Sequence, residues 1–588
     1  MRTHRMTGTN AVRRQDASKG TVVSPHERST RAGLEMLERG GNAVDAAVAT
    51  ALVAGVVEPT ETTLAGCGFL LFNDPETGTW SADFGPRSPS AASRAMYEVD
   101  HGASGSGVLG LAPVVDAANV DGPRASGVPR TLLGLLSVQE AWGELPREHV
   151  CGPAIAAAYD GFDADMWFTT NALSDLTRLR RDAQARRTYL DEDGLPLGHA
   201  SSSFYGPSFG ARPRVRQPLL GAALEEAAHG PLELLTEGAL ARRLVESSRA
   251  AGGLLTLEDL RAAAPSIGRA FGRRYRDVEV FVPPSPGGGI TELQILQMWE
   301  ALNSGPSTSH ESGAQARKLA LALRHAFADR YHWLGDPDLV PVPLRGLLSP
   351  DYTAALARLV ETGQDVVGWR EGEPWTTYAA RAAHDPWRHE PGSPARPEWT
   401  PRGATEPTSG TTHISAADAQ GRIVSVTHTA AHHFGSGIVC PRTGLLFDSA
   451  MAWFNALPGA ANSIAPGARP LANMGPALVT RRGESVAAVG ASGGRRIISA
   501  VAQVIINLVD GGHSPADAVA LPRLDGSGPH LLLHDDREGD LDALQDLGVA
   551  LVATSGEPHQ MDFARPNVAA FHGDGRTSSA LHATNYGA

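Results

Sequence analysis

Residues 410–430 read GTTHISAADAQGRIVSVTHTA, and their alternation is that of two short strands joined at Gln420-Gly421, with Thr411 the first residue of the hairpin. The preceding residues, 386–410, are dense in Pro, Gly and Ser and carry no apolar period, which predicts a loop or linker. A Gly-Thr pair therefore stands where an irregular segment meets a buried sheet. A threonine at a strand start is ordinarily there because its branched side chain suits the pleat, so Thr411 alone says nothing about chemistry.

Outward from the hairpin, helical and strand patterns are interspersed. Ser29–Glu38 followed by Gly40-Gly41 reads as a glycine-closed helix, and Asp45–Val57 as an alanine-rich helix suited to tight packing. Leu132–Trp142 and Leu232–Ala250 have helical apolar spacing, whereas Phe69–Phe72 and Val278–Val282 read as strands. With 588 residues, 42% apolar and 20% charged, and no apolar run long enough for a membrane span, the composition is that of a water-soluble globular chain.

A net charge of −13 and the lack of a basic patch interleaved with aromatics argue against nucleic-acid or membrane partners and leave a small-molecule substrate. Cys67, Cys151 and Cys440, an odd number at unrelated spacings, predict packing and not a disulfide framework or a zinc site. His428, His432 and His433 have no carboxylate at ligand spacing, and Gly287-Gly288-Gly289 lacks the Lys-Ser/Thr ending of a phosphate loop, so neither metal nor cofactor is expected. The polar opening MRTHRMTGTNAVRRQDASKG contains no secretory signal pattern; residues 1–19 read as a frayed tail and the location as cytoplasmic.

Several blocks in order carry a family resemblance. GTVVSPHERSTRAGLEMLERGGNAVDAAVATALVAGVVEP, GVPRTLLGLL, GGLLTLEDL, PPSPGGGITELQ and FADRYHWLGDPDL precede the hairpin; FGSGIVCPRTGLLF, ARPLANMGPALV and GASGGRRIISAVAQVIIN follow it. Together, from about Gly20 to Asp510, they resemble the large and small subunits of gamma-glutamyltransferases, N-terminal-nucleophile hydrolases. The stretch after about residue 515 has no assignment.

The resemblance implies a four-layer αββα sandwich and a precursor cut between Gly410 and Thr411. Residues 20–410 would form a large subunit and 411–588 a small catalytic one, associated as a heterodimer within one fold. An N-terminal threonine carries its own base, an α-amino group with a pKa of about 8, which is why cleavage activates the hydroxyl. By the same resemblance Thr429 orients Thr411, and the backbone N–H groups of Gly493 and Gly494 hold the oxyanion.

Where the family grips a γ-glutamyl group this chain departs. The arginine position is Gly85, with Arg87 two residues on; the serine pair is Ala472-Asn473; the positions that hold the ammonium are Ala431, Ala450 and Trp453. Arg87 or Asn473 remains to meet an acyl carboxylate. The Phe454–Arg469 segment is shorter than in members with a lid loop, which predicts a more open site. The chain thus reads as a divergent member, similar to those of 4-alkylproline antibiotic biosynthesis of the lincomycin and anthramycin type. It would hydrolyse an amide or carbon–carbon bond of a small acidic, oxalyl-like substrate. Ordinary γ-glutamyl transfer with displaced ligands and an inactive scaffold are the alternatives.

Overall fold

The computed structural model describes residues 13–17, 19–100, 113–199, 213–366, 385–392, 397, 410–528, 530–554 and 562–582. Two antiparallel sheets lie face to face. The first contains β2 (Gly20–Val23), β3 (Cys67–Asp74), β4 (Gly78–Phe84), β5 (Ser266–Arg269), β8 (Gly410–Asp418) and β9 (Ile423–Ala431), in the order β2-β8-β9-β3-β4-β5. The second contains β1 (Arg13–Ala17), β6 (Phe271–Tyr275), β7 (Val278–Val282), β10 (Ala477–Arg481), β11 (Glu484–Ser492), β12 (Arg565–Phe571) and β13 (Thr577–Leu581), ordered β1-β13-β12-β11-β10-β7-β6. Each sheet takes strands from both sides of residue 410, so the halves of the chain share one fold.

Helices cover both outer faces and complete the four layers. On the first sheet lie α1 (Glu27–Glu38) and α2 (Ala43–Val57). Every residue of α2 is buried, which explains a sequence apolar all round, and Asn42 and Asp45 close its start as a reciprocal capping box. On the second sheet lie α3 (Gly289–Leu302), α4 (Gly313–Trp333) and α5 (Arg496–Val509). Among the described residues no helix is long and apolar enough to cross a membrane.

Between the sheets the packing is partly polar. Ala417, Ile423, Leu71, Leu478, Ala488 and Ala569 form an apolar patch there. Beside it, His413 Nδ1 bonds Thr427 Oγ1 at 2.8 Å and His413 Nε2 bonds Ser415 Oγ at 3.0 Å. Ser415 donates to Asn567 Oδ1 at 2.8 Å, and Asn567 Nδ2 donates to the His413 carbonyl at 2.8 Å, so a residue of β12 laces β8 to the opposite sheet. Gly490 makes room: a Cβ there would lie 2.1 Å from His413 Cε1. Burial lowers the His413 pKa to about 3, so the ring is neutral.

On the helix side, Thr412 donates to Glu58 Oε2 at 2.7 Å and Ser29 donates to Glu58 Oε1 at 3.3 Å, tying β8 to the end of α2 and to α1. Burial raises the Glu58 carboxyl to about 8, against the pull of these hydroxyls.

The helices and strands read from sequence are present, with three differences. Leu232–Ala250 is two helices, Glu233–Thr236 and Ala239–Ala250, because Gly238 between them is extended. Residues 1–19 are not all tail: Arg13–Ala17 pairs antiparallel with Thr577–Leu581, an edge whose free backbone groups recruit a strand whatever its side chains. Pro386–His389 forms a 3₁₀ turn that buries Trp387 against Trp333, ring centroids 6.2 Å apart; residues 393–396 and 398–409 of that proposed linker lie outside the described residues. The unassigned C-terminal stretch supplies β12 and β13, and β12 lies inside its sheet beside β11.

Asn567→Ala strands buried groups on Ser415 and His413, and is expected to cost about 2–4 kcal/mol in urea unfolding. Glu58 yields a pH signature. Its proton is held in the fold up to about pH 8 but lost near 4.5 once unfolded, so its stabilisation is full below pH 4.5 and declines as pH rises to 8. Glu58→Gln mimics the neutral acid. Relative to this variant the wild type should lose up to about 1.4 kcal/mol per pH unit between pH 5 and 8; parallel stability curves across that range would refute the assignment.

Candidate active site

The β8–β9 register pairs Gly410 with Ala431 but Thr412 with His428, a one-residue slip at Thr411. Gly410 lies tight against the Thr60–Glu61 turn, where a Cβ would stand 2.3 Å from the Thr60 carbonyl oxygen. In this uncut backbone Thr411 Oγ1 donates to the Gly410 carbonyl oxygen at 2.7 Å and lies 3.3 Å from Thr429 Oγ1. Thr429 donates to the same carbonyl oxygen at 2.5 Å and accepts from Ala431 N at 2.8 Å. Two hydroxyls therefore converge on one carbonyl, at the residues singled out from sequence.

The nitrogen of Thr411 has a partner that sequence reading missed. It donates to Glu61 Oε2 at 3.0 Å, and Arg565 Nη2 lies 3.6 Å from that same oxygen. The Arg565 guanidinium also sits 5.2 Å from the centroid of the Trp167 ring, and Trp167 Nε1 donates to Thr60 Oγ1. Arg565 opens β12 opposite Ser492, the last residue of β11. Gly493 and Gly494 follow at once, with φ of 132° and 62° that L side chains avoid. A Cβ on Gly493 would stand 2.7 Å from Ala564 Cα. The glycine pair is thus linked to Thr411 through Ser492, Arg565 and Glu61.

Ala431, Ala450, Trp453 and Ala472 assemble into one buried cluster with Cys67, Phe69, Ala452 and Met474. Gly85 borders it, since a Cβ there would meet Phe69 Cζ at 2.5 Å. Arg87 approaches through its backbone: a Cβ on Gly127 would lie 3.1 Å from the Arg87 carbonyl oxygen and 3.2 Å from Ala450 Cβ. Arg87 Nε is buried and has no hydrogen-bond partner among the described residues. Asn473 is held differently, its Oδ1 accepting from Arg330 Nη2 at 3.2 Å while Arg330 Nη1 donates to Gly287 O at 3.0 Å. The triple glycine seats this loop: Gly288 N donates to Met474 O at 2.8 Å.

Asp448, also unanticipated, accepts from Gly127 N at 2.8 Å and lies beside Ala450. Its Oδ2 has no partner among the described residues, and burial raises the carboxyl to about 7. A more open site was expected from the short Phe454–Arg469 segment. In the uncut chain Thr411 is 3% exposed and Trp453 4%, and Met451, Phe454, Ile464 and Ala468 form a further apolar cluster.

The three histidines are buried. His428 Nδ1 bonds Thr62 Oγ1 at 2.7 Å, and His433 meets Trp167 edge-on with centroids 6.3 Å apart. Desolvation lowers His428 and His432 to about 3 and shifts His433 downward, so all three are uncharged near neutral pH.

Comparison with known proteins shows the family of this chain. The family model described as gamma-glutamyltranspeptidase matches residues 29–547. The chain is 30% identical over 521 residues to the glutathione hydrolase proenzyme of Escherichia coli strain K12, covering 86% of this chain and 81% of that protein. It is likewise 30% identical to the acylase ACY 1 proenzyme of Pseudomonas sp. strain SE83, covering 86% and 82%. The fold is that of the cephalosporin acylase of Bacillus halodurans, with a TM-score of 0.75 at 21% identity over 97% of this chain and 95% of that one. LmbA superposes with a TM-score of 0.74 at 22% identity, over 99% and 98%. The chain belongs to the gamma-glutamyltranspeptidase family of hydrolases and acyltransferases.

Proposed function

We propose that this chain cuts itself between Gly410 and Thr411 and then works as an N-terminal threonine hydrolase on a small acidic substrate other than a γ-glutamyl compound. The observation that carries the first half is the convergence of the Thr411 and Thr429 hydroxyls on the Gly410 carbonyl. The Thr429 hydrogen bond polarises that carbonyl while Thr411 Oγ adds to its carbon. The Gly410–Thr411 C–N bond breaks, the proton from Oγ passes to the departing nitrogen, and water then opens the ester. In the processed enzyme the free amine takes the Oγ proton as the substrate carbonyl is attacked. The N–H groups at Gly493 and Gly494 serve the oxyanion, a role for which their glycine-only backbone is suited.

The second half rests on the pocket. An ammonium placed among Ala431, Ala450 and Trp453 meets alkyl and aromatic surface in a buried site, and unpaired burial of a charge costs several kcal/mol. Arg87, whose backbone borders the cluster and whose Nε is buried without a hydrogen-bond partner among the described residues, suits one carboxylate. A compact acyl group such as oxalyl, joined by an amide or a C–C bond to a small heterocyclic amino acid of secondary metabolism, fits both features. For the C–C case, Thr411 Oγ adds to the ketone and the C–C electron pair leaves on an enol or enamine carbon that is then protonated. Water releases oxalate from the ester. The 30% identical acylase supports acyl hydrolysis more broadly. One observation favours a second reading: the free oxygen of Asp448 beside Ala450 supplies a displaced counter-charge for a substrate amine, which would retain γ-glutamyl chemistry.

The purified protein should run as fragments 1–410 and 411–588, with Thr411→Ala remaining one chain; a Thr411→Ala chain that still splits at this bond removes Thr411 from the reaction. Turnover of γ-glutamyl-p-nitroanilide should be at least about 100-fold below that of the glutathione hydrolases. Oxalate detected by mass spectrometry from an extradiol-cleaved, cyclised dihydroxyphenylalanine product, with wild type but not Thr411→Ala, supports the C–C assignment. Robust γ-glutamyl turnover that is lost in Asp448→Asn would instead select the second reading.

A further inference from the structure

Around the nitrogen of Thr411 the fold has built a charged pair. Glu61 lies in the turn after α2, with its own carbonyl fixed by Ala430 N at 3.2 Å and its Oε2 on Thr411 N at 3.0 Å. Arg565 arrives from the second sheet, 155 residues beyond the Gly410 end of β8, and stands 3.6 Å from the same oxygen with both side chains under 10% exposed. The neighbouring titratable groups carry little charge near neutrality. Glu58, one turn earlier, is raised to about 8; His433 is shifted down by burial, as is His432, to about 3; and Arg178 and Asp175, which flank His433, pair with each other at 2.7 Å. Glu61 and Arg565 are the charged side chains in contact with the Thr411 nitrogen and with the oxygen that binds it.

We propose that Glu61 holds the Thr411 nitrogen before and after self-cleavage, and that Arg565 is the positioning residue that offsets the Glu61 charge so that the freed amine can act as a base. The inference rests on the autoprocessing reading above. In the precursor the Glu61 contact fixes the amide N–H, and with it the plane of the Gly410–Thr411 bond, relative to Thr411 Oγ. After cleavage the same oxygen accepts one amine hydrogen and leaves the lone pair for the Oγ proton. A carboxylate alone at this distance would hold the amine as ammonium, which cannot take a proton; Arg565, sharing that oxygen, draws the balance back. The proton taken from Oγ is later given to the leaving group, so the amine returns to its starting state.

The test compares wild type, Glu61→Gln, Arg565→Met and Arg565→Lys as full-length chains. Two readouts are taken: the rate of appearance of the 411–588 fragment, and the pH dependence of the nitrophenolate burst with p-nitrophenyl acetate, with mass spectrometry locating the acetyl group on that fragment. Glu61→Gln should slow self-cleavage at least about tenfold with its melting curve retained, and in whatever fraction is processed the acid limb of the burst should move about one pH unit down. Arg565→Met should move that limb about one unit up, and Arg565→Lys should restore most of it. If Glu61→Gln is cleaved at the wild-type rate, or if Arg565→Met acetylates Thr411 with an unmoved acid limb, the inference is overturned. A purely structural role for the pair would lower the amplitude without moving the limb. A wild-type chain that never splits would instead sink the autoprocessing reading, so the two failures are distinguishable.

Discussion

Everything at the site depends on a single carbonyl oxygen, that of Gly410, which accepts from Thr411 and from Thr429 at once. Two hydroxyls on adjacent strands reach one acceptor only if the strands stop pairing regularly there, and the register slip between Gly410 and Thr412 provides this. The slip needs the Thr60–Glu61 turn pressed against Gly410, a contact any side chain at 410 would block. It also needs β8 immobile on both faces, which Glu58 secures from the helix side and Asn567 from the opposing sheet. A strand so held is buried at all nine residues, and this is why polar residues alternate with apolar ones in a segment without solvent on either side.

That alternation made the hairpin legible from sequence, with Gly421 at φ 84° in the turn as the Gln420-Gly421 reading requires. The α2 run, apolar but for Asp45 and Thr50, and the alternating strand at Val278–Val282 were legible for a related reason: their patterns are local. Glu61, Arg565 and Asp448 were not. Glu61 lies 350 residues from Thr411 and Arg565 lies in a stretch that no motif marked, so their meeting is a product of sheet order, which no local period records. An edge strand such as Arg13–Ala17 escapes for a different reason, because pairing by backbone alone leaves no side-chain pattern to read.

The pocket was legible only through resemblance, yet its physical character emerged in the fold. Four of the positions singled out from sequence, Ala431, Ala450, Trp453 and Ala472, become one cluster with Cys67, Phe69, Ala452 and Met474, and all four are apolar. Ala431 is held in a strained backbone conformation. Its φ of 72° lies in the left-handed region, which asparagine enters more readily than alanine and which costs alanine about 1 kcal/mol.

The backbone at Ala431 is held in place because its N–H donates the hydrogen bond that fixes Thr429 Oγ1. The same residue thus makes two contacts: its side chain packs in the apolar cluster, and its amide holds Thr429 Oγ1, which shares the Gly410 carbonyl with Thr411. Specificity can be rewritten through the first without disturbing the second, provided each substitution leaves the main chain where it was. Trp453 obeys this rule too, since its carbonyl is held by Asn462 Nδ2 at 2.7 Å while Asn462 Oδ1 takes the Leu471 N–H at 2.8 Å, next to Ala472. One buried asparagine amide therefore joins two walls of the pocket through their backbones. The main chain of these walls is thus positioned by hydrogen bonds that their own side chains do not make.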